Sequence, residues 1–175
     1  MSVSSHLSPE PERRLWIIHA KILGETSRTD LKLWALTAFA AAQMALVETV
    51  VPGGRLSHFA LALLCVILPI GLLALSPLIE TNRQVPLLDP RMDGRHAGDC
   101  LISAHDIAKY PQIELVILFD RYLGGGVTAT QYYEDIVGQI VSSARIAVRK
   151  RRLFLAATVP AVVVQLGLLC RLIWR

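Results

Sequence analysis

Side chains able to hold a metal gather at one place in this sequence, RHAGDCLISAHD, which carries His96, Asp99, Cys100, His105 and Asp106. A catalytic zinc draws two ligands from one helix face at i and i+4, or from a tight paired motif. His96 and Cys100 offer that spacing only if the glycine-containing piece between them is helical. A solvated loop is the favoured reading there, and no metal is expected. There is no nucleophile elbow, no phosphate-binding glycine loop followed by Lys-Ser or Lys-Thr, and no paired catalytic carboxylate pattern. The triplet Gly124, Gly125 and Gly126 reads as a hinge. The chain is therefore not expected to be an enzyme, and no cofactor is expected.

Two polar patterns remain, each beside a long apolar stretch. One is Asp30-Leu31-Lys32. The other is Tyr133, Glu134, Asp135, Gln139, Ser143, Arg145 and Lys150. On composition alone such patterns read as solvated helix surface and interfacial anchors.

The elements that position them follow from hydropathy. Of the 175 residues 53% are apolar, and the mean hydropathy is +0.47, more than a water-facing surface allows. Three stretches carry the excess, 33–51, 59–79 and 153–173, each able to cross a hydrocarbon core of about 30 Å as a helix. The middle one has no charged residue. Glu48 and Arg171 lie near the ends of the other two, within reach of headgroups, and Gln43 and Gln165 are the polar residues at mid-depth. Pro69, Pro77 and Pro160 are tolerated in membrane helices and can mark kinks. A cleaved signal peptide at 33–51 is disfavoured, because about thirty polar, acid-containing residues precede it.

The expected fold is thus an all-α integral membrane protein with three transmembrane helices. The turn VPGGRLSH makes the first two a hairpin. Residues 1–32 hold a polar tail of nine residues and then an amphipathic helix with Leu15, Ile18 and Ile22 on one face and Trp16, Ala20 and Leu23 beside it. Only Gly24 and Ser27 offer a possible break before the first span, so one bent helix can run from the cytoplasm through the membrane. Residues 80–152 open with a loop, continue with a short helix at 101–110, and reach IELVILF, which fits a buried strand and a buried helix turn equally well. Thr128 and Gln131 form a capping-box pattern. From there Tyr133, Ile136, Val137, Ile140, Val141, Ala144 and Val148 recur at helical spacing with no breaker, so a stalk helix runs on into the third span for about 45 residues. Its apolar face needs a partner. The N-terminal helix of the same chain is favoured, with a second copy as an addition.

Basic residues set the orientation. Arg13, Arg14, Lys21, Arg28 and Lys32 precede the first span, and 80–152 holds ten Lys and Arg, whereas the link between the first two spans has only Arg55. The positive-inside rule puts the N-terminus and the long segment in the cytoplasm and the C-terminus outside a cytoplasmic membrane. Arg145, Arg149, Lys150, Arg151 and Arg152 crowd before the third span, where a clamp on anionic lipid is favoured over nucleic acid. Cys65, Cys100 and Cys170 suggest no disulfide framework.

In these features the sequence resembles the transmembrane effectors of Pycsar anti-phage systems. Asp30 and Lys32 stand where that family opens its first span with Asp-x-Lys. From Ile113 to Ala156, Phe119, Tyr133, Asp135, Gln139, Ile140, Ala144, Ile146, Ala147 and Lys150 follow the family's order, with departures at Leu33 and Asp120. The resemblance implies a membrane effector that senses a cyclic pyrimidine mononucleotide, cyclic UMP or cyclic CMP, made by a partner cyclase on infection. It also implies that the effector impairs the inner membrane and so causes abortive infection, as a homo-oligomer in the lipid bilayer. On that reading Lys32, Arg121, Gln139, Arg145 and Lys150 suit the phosphate, and Asp30, Asp135 and Gln139 the ribose hydroxyl and base. The competing expectation is a small structural or accessory subunit of a membrane complex.

Overall fold

A computed structural model describes residues 10–50, 54–76, 78–79, 85, 87–89, 98–123 and 130–173. Five helices appear among them, in the order α1 (Glu10–Val50), α2 (Arg55–Leu75), α3 (Ala104–Ile107), α4 (Gln112–Leu123) and α5 (Gln131–Ile173). No strand occurs among the described residues, and α1, α2 and α5 are each long and apolar enough to cross a membrane. Contacts divide the chain into two compact units, one of Met1–Thr26 and Asn82–Val148, the other of Ser27–Thr81 and Arg149–Arg175.

In the first unit the stripes expected of the stalk and of the N-terminal helix meet. Leu15, Ile18 and Ile22 of α1 share one core with Tyr133, Ile136, Val137, Ile140, Val141, Ala144, Ala147 and Val148 of α5. Trp16 and Leu23, beside the α1 stripe, stay exposed. The stalk thus finds its cover within its own chain, and α4 completes the core with Leu115 and Phe119. IELVILF, ambiguous by pattern, is helix: Leu115 and Phe119 lie four apart, so one face is buried while Ile113 and Ile117 remain exposed. Each such aliphatic or aromatic burial is worth about 1.5–3 kcal/mol.

Between 98 and 112 the chain is pinned by polar contacts. Lys109 bridges Asp99 at 3.3 Å and Asp106 at 2.7 Å, the Tyr110 hydroxyl donates to Asp99 at 3.0 Å, and the Cys100 amide donates to Asp106 at 3.2 Å. The two carboxylates hold the Lys109 ammonium more firmly protonated than usual, with the Asp106 hydrogen bond as the largest cause. The short helix expected at 101–110 is a single turn, α3. These contacts give Asp99 and Asp106 a structural employment. His96 lies outside the described residues.

The second unit packs α1, α2 and α5 around Ala40, Val47, Ala60, Leu64, Ile67, Ala157, Ala161 and Val164. Small residues make up half of this core and let the backbones approach closely, as membrane helices require. Gly71 of α2 is one such place: a β-carbon there would sit 2.6 Å from Thr37 Oγ1, which donates to the Leu33 carbonyl at 2.8 Å. The outward side carries Phe39, Leu46, Phe59, Leu72, Val159 and Leu166, all exposed. That much apolar surface is costly in water and costs nothing in lipid.

One helix end departs from expectation. The second span was expected to run to 79, but α2 stops at Leu75: Ser76, which precedes Pro77, takes an extended backbone (φ −76, ψ 149), as sterics before proline favour. At its N-terminus α5 begins at Gln131. Thr130 caps it, its hydroxyl accepting from the Tyr133 amide at 3.2 Å. Thr128, the Gly124 to Gly126 hinge, Pro77, the N-terminal tail and most of the loop after the second span lie outside the described residues. Neither Gly24 nor Ser27 breaks α1, which runs unbroken for 41 residues, and α5 for 43.

Candidate functional site

On α5, Asp135, Gly138, Gln139, Ser142 and Ser143 recur at three- and four-residue spacing and so share one face. That face is polar, in contrast to the buried stripe beside it. His19 of α1 and Gln112 of α4 face the same place, and the seven residues line an open cleft of about 510 Å³ within the first unit. A mononucleotide fits a volume of that order.

Three of the lining side chains, His19, Ser143 and Gln112, are tied by hydrogen bonds. His19 Nε2 lies 3.2 Å from Ser143 Oγ, and its ring meets Trp16 edge-on at 5.5 Å between centroids. Trp16 in turn donates to the Tyr132 hydroxyl at 3.4 Å. Gln112 Nε2 donates to the Glu134 carbonyl at 2.9 Å, which fixes its amide, since a carbonyl can only accept. Burial pushes the His19 imidazolium below its ordinary range, so the ring favours its neutral form. Asp135 is the single formal charge on the lining, and the rest is a set of neutral donors and acceptors. Such a surface recognises sugar hydroxyls and base edges by hydrogen bonds.

The residues marked in the sequence do not all come together. Asp135 and Gln139 line the cleft. Arg145 belongs to the same unit but donates to the Tyr110 carbonyl at 3.5 Å, and Arg121 is exposed on α4. Asp30, Lys32 and Lys150 belong to the second unit. There Lys150 Nζ lies 3.0 Å from Asp30 Oδ2, and Lys32 is exposed. The basic cluster before the third span is likewise divided. Arg149 and Lys150 are buried, Arg149 donating to the Ile79 carbonyl at 3.0 Å, so these two do not serve as a lipid clamp.

Comparison with known families places these features. A sequence profile described as the Pycsar effector protein domain matches residues 14–174, which takes in the cleft residues, all of α2 and α5, and α1 from its second turn on. The chain belongs to the Pycsar effector family. No curated protein and no solved structure shows a significant match. This Pycsar effector is therefore a membrane protein with a role in anti-phage defence, in a system that includes a partner cyclase.

Within the Pycsar effector, His19, Gln112, Gly138 and Ser142 are cleft residues that the sequence did not single out. Two signals were present. The polar face of α5 already contained Asp135, Gln139 and Ser143 at spacing four, and Ser142 and Gly138 adjoin it. His19 interrupts the otherwise apolar run WIIHA, where a polar ring signals a partner.

Proposed function

We propose that this effector senses a cyclic pyrimidine mononucleotide, cyclic UMP or cyclic CMP, in the cleft lined by His19, Gln112, Asp135 and Gln139, and answers by impairing the membrane that holds it. The observation that carries the reading is the cleft itself: an open, polar cleft built in the unit that the polar face of α5 shares with the N-terminal part of α1. Family membership supports a ligand that comes from the partner cyclase. The basic residues around the first unit support a cytoplasmic location for the cleft, with the N-terminus inside and the C-terminus outside. The chain acts by binding and not by catalysis, and needs no cofactor.

Coupling to the membrane follows from continuity. Both α1 and α5 contribute residues to each unit without interruption, so a ligand that prefers one packing of these helices biases the bundle too. It can do so only by the difference in its affinity for the two states. Self-association in the bilayer is part of the proposal, because three helices with apolar exteriors do not by themselves enclose an aqueous path.

The experiment is leakage from liposomes carrying the full-length protein. Dye release on addition of cyclic UMP or cyclic CMP, absent with the purine analogues and absent in protein-free vesicles, is the expected result. A folded, inserted protein that releases no dye with any cyclic mononucleotide overturns the membrane-impairment half of the reading.

A further inference from the structure

The cleft is short of one thing a nucleotide carries. Its lining has no Lys or Arg, its one formal charge is the Asp135 carboxylate, and His19 favours the neutral ring. A phosphate seated among these groups would face a like charge with no cation to offset it. The lining instead matches the uncharged end of the ligand: Gln112, Gln139, Ser142, Ser143 and His19 offer both donors and acceptors, and Asp135 accepts from a ribose hydroxyl or an exocyclic amine.

One of these groups, Gln112, is oriented by a backbone contact and by the space beside it. The Gln112 amide is oriented by its donation to the Glu134 carbonyl at 2.9 Å, so its second N–H and its Oε1 remain for a ligand edge. It occupies space left by a missing side chain. A β-carbon on Gly138 would stand 3.0 Å from Gln112 Nε2 and 3.2 Å from both Cδ and Oε1. Gln112 is the far end of a flexible side chain, so an alanine at 138 is accommodated by moving the amide and not by unfolding the helices.

Resting on the proposed function above, we infer that the cleft grips the nucleoside part of the ligand and leaves the phosphate toward its mouth, and that Gln112, positioned by the space at Gly138, determines which base is accepted. A base is read through the pattern of donors and acceptors on its edge, and a fixed carboxamide presents one of each. Moving that amide by a few tenths of an ångström spoils the match for the preferred base and relaxes the penalty on others.

The test is equilibrium binding of cyclic UMP, cyclic CMP, cyclic AMP and cyclic GMP, and of uridine and cytidine, to the full chain in nanodiscs. The wild-type protein is expected to show a preferred base, competition by the parent nucleoside of the preferred ligand, and a change in affinity of less than about threefold between about 50 and about 300 mM salt. Gly138→Ala and Gln112→Ala are each expected to weaken the preferred ligand by about tenfold or more and to compress the ranking among bases, with helical content and Tm unchanged. If wild type binds and Gln139→Ala abolishes binding, but both Gly138→Ala and Gln112→Ala keep affinity and ranking, the inference falls while the proposed function stands. Failure of the nucleosides to compete, together with steep salt dependence, also overturns it, since the phosphate would then carry the binding. Absence of binding by wild-type protein overturns both.

Discussion

Lys150 Nζ and Asp30 Oδ2 lie 3.0 Å apart, joining α5 to α1 in the unit that holds the membrane bundle. The two residues are 120 positions apart, and each had stood out as polar beside an apolar stretch. The lysine side chain is only 6% exposed and the aspartate 30%, so the pair is shielded from water on one side. Asp30 Oδ1 is buried without a hydrogen-bond partner among the described residues, which makes the aspartate costly to keep unless the ion pair offsets it.

Asp30→Asn should therefore destabilise the protein by roughly 2–3 kcal/mol, somewhat less than for a fully buried pair, because the buried Lys150 ammonium loses the Asp30 carboxylate charge. Lys150→Met in the same chain should recover most of that loss. Thermal unfolding of the detergent-solubilised single and double variants checks this, and additive losses would show that the pair does not act as a unit.

Gln43 of α1 and Gln165 of α5 are hydrogen-bonded to one another, Gln43 Nε2 donating to Gln165 Oε1, in a core otherwise apolar. Interhelical hydrogen bonds in membranes are worth about 0.6 kcal/mol on average and up to about 1.7. A double-mutant cycle with Gln43→Leu and Gln165→Leu should give a coupling energy in that range. Without this tie the bundle should also leak more readily, seen as growth inhibition in cells that lack the cyclase. Zero coupling with unchanged growth would deny the contact a role in holding the bundle closed.

The Tyr133 hydroxyl is buried, and no partner for it occurs among the described residues. Burial, with the nearby Asp120 charge adding to it, pushes the phenol up to about 12, so it stays protonated across the physiological range. Removing an unpartnered hydroxyl spares its desolvation cost, so Tyr133→Phe should leave stability unchanged or raise it by an amount on the order of 1 kcal/mol, with Tm unchanged or higher. A clear fall in Tm would reveal a partner for the hydroxyl.

His19 titrates below its ordinary 6.5 in the folded protein. The unfolded chain then takes up the proton first, so stability is constant above about pH 6.5 and falls as pH drops through that value toward the lower folded one. His19→Gln should flatten this part of the stability curve. Unfolding midpoints measured from pH 7.5 to about 5 decide it, and an unaltered slope in the variant would assign the dependence to other groups.

How much of this could be read in the sequence depends on the range of the interaction. The α5 stripe was legible because each of Tyr133, Ile136, Val137 and Ile140 answers to local periodicity and burial alone, and the covering face of Leu15, Ile18 and Ile22 was legible for the same reason. IELVILF was not, since a short run with six apolar residues among its seven hides its period until one face is chosen by packing. Nor was the cleft. Asp135 and Gln139 could be found on a helix face, but His19 and Ser143 are 124 positions apart, and only the packed fold brings them to 3.2 Å. The Asp30 and Lys150 pairing failed to show for the same reason: two charges suited to a phosphate are equally suited to each other.

Binding of a cyclic pyrimidine mononucleotide in the cleft of the first unit is the proposed function. Isothermal titration of cyclic UMP and cyclic CMP into the full chain in nanodiscs tests it most directly, alongside Gln139→Ala in the cleft and Lys32→Ala outside it. The expected result is saturable binding of at least one ligand, weakened by about tenfold or more in Gln139→Ala and unchanged in Lys32→Ala. Saturable binding lost in Lys32→Ala and retained in Gln139→Ala, or no binding to protein that is folded, would contradict it.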